Sequence, residues 1–102
     1  MSDLPKHFLK MQDRYGDVMA KLKELGEATD KAGPIDTKTA HLIQIAAAAV
    51  MRSEGAVHSH ARRAMKAGVP ADEIRHAVML TLPTIGYPNM AAAMSWVDDI
   101  LE

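Results

Sequence analysis

The stretch Asp36-Thr37-Lys38-Thr39-Ala40-His41-Leu42-Ile43-Gln44-Ile45-Ala46-Ala47-Ala48-Ala49-Val50 decides the fold class. Asp36 is suited to cap a helix N-terminus, because its carboxylate can accept a hydrogen bond from a free backbone N–H of the first turn. The interior that follows, Leu42, Ile43, Ile45 and Ala46 to Val50, is apolar nearly all round, which predicts a central buried helix. The apolar run from Ile43 to Met51 is interrupted by Gln44 and is far too short to cross a bilayer.

On the C-terminal side the pattern turns polar around Ser53-Glu54-Gly55, where a break or kink is expected. A third helix is predicted over about Ala56 to Ala67, with Gly68 in the usual position past a helix end. Pro70-Ala71-Asp72-Glu73 opens a fourth, its acids favourably placed against the helix dipole. Ile74, Ala77, Val78, Thr81 and Leu82 form its buried side, and Pro83 with Gly86-Tyr87-Pro88 ends it. A last helix begins near Pro88 and carries Met90, Ala93, Met94, Val97 and Leu101. On the N-terminal side, Phe8, Met11, Tyr15, Val18, Met19, Leu22 and Leu25 recur at three and four, an amphipathic stripe that Gly16 can split in two. Ala32-Gly33-Pro34 is its stop signal. The expectation is an all-α domain of five or six helices, a single domain over residues 1–102.

Composition narrows the function classes. With 102 residues, 48% hydrophobic and 25% charged, the chain is ordinary for a globular protein, but 8 Met and only 4% aromatics suggest thin, closely packed helices. A chain this short buries a modest share of its surface, so self-association would help its stability. A net charge of −1 offers no basic excess to meet phosphate, which argues against nucleic acid as a partner. The N-terminus lacks the apolar core of a signal peptide, and five His with no Cys suit a reducing compartment, so cytoplasm is the expected location. The missing cysteine also removes thiol and disulfide chemistry.

The densest polar cluster inside apolar sequence is Arg52-Ser53-Glu54-Gly55-Ala56-Val57-His58-Ser59-His60-Ala61-Arg62-Arg63. Three functional readings of it compete with bland ones. His60, four residues from Ala56 and from Ala64, falls on the apolar face and could act as a general acid or base. Its bland alternative is a core or interface histidine bonded to a backbone carbonyl. A metal site on His58 and His60 is disfavoured, because residues two apart on a helix point to different sides; it would have to recruit His41, Glu54 or His76. Arg52, Arg62, Arg63 and Lys66 could rim a carboxylate ligand, or form a solvated face. His41 is open to two placements, in one cavity with His60 or at the surface near its helix end. Ser53 is suited to be a helix N-cap. Asn89 in Tyr87-Pro88-Asn89-Met90 suits a cap or a pocket hydrogen bond.

The order of these pieces resembles the carboxymuconolactone decarboxylase family, including its AhpD-like branch. The resemblance runs from about Asp36 to Leu101. It is carried by Asp36 to Ile43, by Glu54 to Ala64, by Ala67-Gly68-Val69-Pro70-Ala71-Asp72-Glu73-Ile74, and by the closing Gly86-Tyr87-Pro88 helix. Members similar to AhpD use a Cys-x-x-Cys pair, a His four residues on, and a Glu one helix earlier. Placing the family's His on His60 puts the cysteines at Ser53 and Ala56 and the Glu at His41, so one element of four is kept. The resemblance therefore implies no cysteine-based peroxidase or disulfide-reductase activity.

What it does imply is an AhpD-like helical subunit that assembles with itself into a homotrimer or homohexamer. The decarboxylase branch implies a cofactor-independent lyase acting on a small carboxylate or lactone, with no metal. His60, His41 and Ser53 are then the candidate catalytic residues, and Arg62, Arg63 and Glu54 the candidate substrate-binding ones. The alternative is a non-catalytic oligomeric or ligand-binding member, with a cavity lined by Ala56, Val57 and Met side chains.

Overall fold

The computed structural model describes residues 4–102. The chain divides into two compact units, Met1–Pro34 and Ile35–Glu102, each described by itself.

The first unit holds α1 (Lys6–Arg14) and α2 (Gly16–Lys31). Tyr15 leaves helical geometry (φ −130°, ψ 49°), so the expected amphipathic segment does split at Gly16. No residue of either helix is buried. Of the apolar stripe, Met11 and Met19 are partly covered, while Val18, Leu22 and Leu25 are each more than half exposed.

The second unit consists of α3 (Thr37–Val50), α4 (Glu54–Lys66), α5 (Ala71–Met79), α6 (Leu82–Ile85) and α7 (Tyr87–Leu101). There is no strand among the described residues. The described residues thus form six helices of nine or more residues and one four-residue helical turn, an all-α fold as the periodicities predict. α3 packs on α4 and α5, and α7 closes the other side of both. Ile45, Val57, Ile74, Val78 and Val97 are fully buried where these four helices meet. At about 25 cal/mol per Å² of apolar area, each such side chain contributes roughly 1.5–3 kcal/mol relative to exposure.

Local chemistry explains the boundaries. Asp36 Oδ1 accepts from the Thr39 N–H at 3.3 Å, the cap its position predicts, and hydrogen bonding from Thr39, first from its side chain and then from its backbone, lowers the pKa of the carboxyl. The fourth helix stops at Met79, short of the expected Leu82. Pro83 has no N–H, and in a continuing helix its ring would meet the carbonyl four residues back, which is Met79. The chain instead starts the short α6, where Pro83 sits in the first turn. α3 also departs from expectation. Only Ile45, Ala48 and Ala49 are buried, and Ile43 and Val50 on its other side are half exposed.

Two helix ends share one backbone solution. After α4, Gly68 takes φ +86°, its N–H bonds the Met65 carbonyl and the next N–H, of Val69, bonds Ala64. This is the paired-bond C-terminal motif that favours glycine at the left-handed position. After α3 the same bonds run from Arg52 to Ala49 and from Ser53 to Ala48, with Arg52 at φ +56°. A side chain there costs about 1–2 kcal/mol that glycine does not incur.

No neighbouring atom lies within 4 Å of a Cβ placed on Gly68, so substitution there tests backbone conformation alone. Gly68→Ala is expected to lower unfolding free energy by about 1 kcal/mol, and Arg52→Gly to raise it by about 0.5 kcal/mol after the entropy of glycine is offset. Chemical denaturation of the two variants beside the wild type checks both signs.

Candidate functional site: two histidines between α3 and α4

Ser53 joins the two helices that carry the site. Its N–H ends α3 on the Ala48 carbonyl, and its Oγ accepts from the Ala56 N–H at 3.2 Å to begin α4. The hydroxyl is therefore an N-cap. With the cap at Ser53, α4 starts two residues earlier than the sequence pattern suggests, and Glu54 falls in its first turn.

From that start, Val57, Ala61 and Ala64 form the buried stripe of α4, with Ala56 and His60 partly buried beside it. His41, one turn into α3, is partly buried as well. The charge of His41 reaches His60 across the two helices. Burial pushes the His60 pKa below its ordinary value, and the nearby charges of Arg63 and His41 push it the same way. His60 is thereby biased toward the neutral imidazole, with one nitrogen donating and one accepting.

Nδ1 of His41 and Nδ1 of His60 are both buried, and neither has a hydrogen-bond partner among the described residues. A buried polar atom left unpaired costs about 1–3 kcal/mol. Each such atom is one at which a polar ligand can recover that cost. The carbonyl bond that would make His60 a plain structural histidine is not formed.

The remaining candidates divide. Arg63 Nη2 donates to Ser59 Oγ at 3.0 Å, which holds the guanidinium along α4. Arg62 is partly buried and makes no hydrogen bond or ion pair among the described residues. Glu54 does not join the histidine pair. It lies with His58 and Asp99, where His58 Nε2 is 2.9 Å from Asp99 Oδ2. His58 and His60 thus point to different sides, as their spacing requires. Asn89 neither caps a helix N-terminus nor joins the histidines; its Nδ2 donates to the Ile85 carbonyl at 2.8 Å.

Val57 is packed in the core, and a groove lies elsewhere on the second unit. That groove, about 390 Å³, runs between α3, α5 and α6 over Leu42, Ile43, Ala46, Val50 and Leu80. Its α3 residues lie on the side of the helix away from His41.

The depressed pKa has a thermodynamic consequence. The folded chain resists a proton that the unfolded chain accepts, so stability contributed by neutral His60 is whole above about pH 6.5 and declines as pH falls toward the folded value. Thermal unfolding from pH 8 to 5 is expected to show a loss on acidification that is smaller in His60→Gln. In ring-resolved NMR titrations, Arg63→Gln should raise the His60 midpoint, and His41→Gln should raise it less.

Comparison with known proteins agrees with this architecture. No curated protein matches the chain. A family model described as carboxymuconolactone decarboxylase family matches residues 16–99. The match takes in α2 as well as the five helices of the second unit, and so begins about twenty residues before the resemblance that starts at Asp36. The chain, cysteine-free though it is, belongs to the carboxymuconolactone decarboxylase family.

Proposed function

We propose that this family member is a cofactor-independent decarboxylase-type enzyme for a small carboxylate or lactone, with His60 as its acid–base group. The observation that carries the reading is the pair of buried, unpartnered Nδ1 atoms on His41 and His60. A substrate carbonyl or carboxylate entering between the rings would satisfy both. The absence of cysteine from the sequence leaves imidazole as the acid–base chemistry at this position.

In the proposed step the bond between the substrate carbon and its carboxylate breaks, and CO₂ leaves. The electron pair moves into a conjugated carbonyl, and His60 returns a proton, drawn from solvent, to the carbon. Imidazole suits this because it donates and accepts near neutral pH. His41 assists by polarising the carbonyl, as a neutral imidazole can. Arg62, which has no partner among the described residues, and Arg63 hold the substrate carboxylate.

The apolar groove supports self-association as part of the same proposal. Ile43, Val50 and Leu80 are each about half exposed or more, and a second copy covering them would remove that apolar area from water. A homotrimer or homohexamer is the expected assembly. The cytoplasm is the proposed location, since a cysteine-free chain draws no stability from an oxidising compartment. No helix among the described residues is long and apolar enough to cross a membrane.

Screening small γ-lactone carboxylates and β-keto acids for CO₂ release is expected to find turnover by the wild type that drops about 10²- to 10⁴-fold in His60→Gln. Equal background turnover by both proteins would sink the enzyme reading. Light scattering coupled to size exclusion is expected to give three or six times the 11.1 kDa chain mass, and a monomer at all concentrations would remove the assembly.

A further inference from the structure

We infer that Glu54, His58 and Asp99 form a site for a first-row divalent cation of the Zn²⁺ type, bridging the start of α4 and the end of α7. One ligand atom from each of the three residues lies within 4.8 Å of the others. Glu54 and His58 are four apart on α4 and so share a face of that helix. Asp99 reaches them from α7, forty-one residues beyond His58 in sequence, with its Oδ2 2.9 Å from His58 Nε2.

Charge is the second and independent argument. Two carboxylates are held close together with no Lys or Arg paired to either among the described residues, and the one partner of Asp99 is His58, itself a member of the set. The cation nearest in sequence logic, Arg75, is committed to the adjacent Asp98 at 2.9 Å and to Glu102 at 3.5 Å. The helix dipole accounts for one acid in the first turn of α4. It does not account for a second brought against it from another helix.

The donor set selects the ion. Two carboxylate oxygens and one imidazole nitrogen suit Zn²⁺ and its neighbours, whereas Mg²⁺ and Ca²⁺ favour all-oxygen sets. Two negative charges with a neutral imidazole balance a divalent cation. In a tetrahedral set at ~2.1 Å the ligand atoms are ~3.4 Å apart, so rotation of the exposed Glu54 side chain closes the remaining gap. Three protein ligands leave a fourth position for water. Nε2 of a neutral ring ligates through its lone pair, which places the ring's single proton on Nδ1. The spacing argument against a His58–His60 site stands; the missing ligand comes from a different helix. This inference is independent of the proposed chemistry at His60.

The test is titration calorimetry with ZnCl₂ on protein purified without a His tag and stripped with EDTA, with MgCl₂ as control. One Zn²⁺ per chain is expected, reversible by EDTA, with a rise in Tm and no response to MgCl₂. Glu54→Gln, on an exposed side chain, and Asp99→Asn should each weaken binding at least about tenfold while metal-free circular dichroism stays unchanged. His58 ring signals should shift with Zn²⁺, and His60 signals should not. No saturable binding up to millimolar Zn²⁺, or affinity undiminished in both variants, would overturn the site.

Discussion

The reversal at Met51-Arg52-Ser53 is the constraint on which the second unit depends. Three consecutive N–H groups bond back to Ala47, Ala49 and Ala48, and the hydroxyl of Ser53 immediately begins the next helix. No residue is spent on a loop of its own, so α3 and α4 leave the turn already in register. That register brings Ile45 and Val57 into one core and His60 within reach of the charge of His41. A left-handed arginine at the centre of this turn is tolerated because the surrounding bonds over-determine it.

Position along α4 then sorts the polar side chains by face. Val57, Ala61 and Ala64 point into the core. His60 borders them toward α3, His58 turns toward Asp99 of α7, and Arg63 runs outward along the helix to Ser59. One thirteen-residue helix therefore serves a buried imidazole pair on one side and an acid–imidazole cluster on another. Ser53 and Ala56, where the resemblance would place a cysteine pair, form a helix cap here, the Ser53 hydroxyl accepting the Ala56 N–H.

The exposed apolar positions have a common physical reading. α3 buries one side against α4, and its other side, with α5 and α6, forms an open groove. Leu22, Leu25 and Val18 of α2 are likewise uncovered within the first unit. A small chain with this much exposed aliphatic surface gains from partners that a larger one would not need.

Much of this was legible in the residues alone. Asp36, Ser53, Gly68 and the Gly–Pro stops placed most helix ends, because capping and backbone preference are local. Periodicity placed most of the core for the same reason. Pro83 was legible as a stop but not as a break that takes effect at Met79, since the clash acts on a carbonyl four residues earlier. The exposed second side of α3 is not legible there, because an all-apolar helix says that it can be buried and not which neighbours cover it. His60 could be singled out from its alanine neighbours, whereas its proximity to His41 and the lack of a partner at either Nδ1 are facts of how α3 packs on α4. Two of the three members of the acid–imidazole cluster, Glu54 and His58, stand four apart in the sequence. The place of Asp99 beside them is not legible there, because only the docking of α7 against α4 carries a residue that distant in sequence to 2.9 Å from His58.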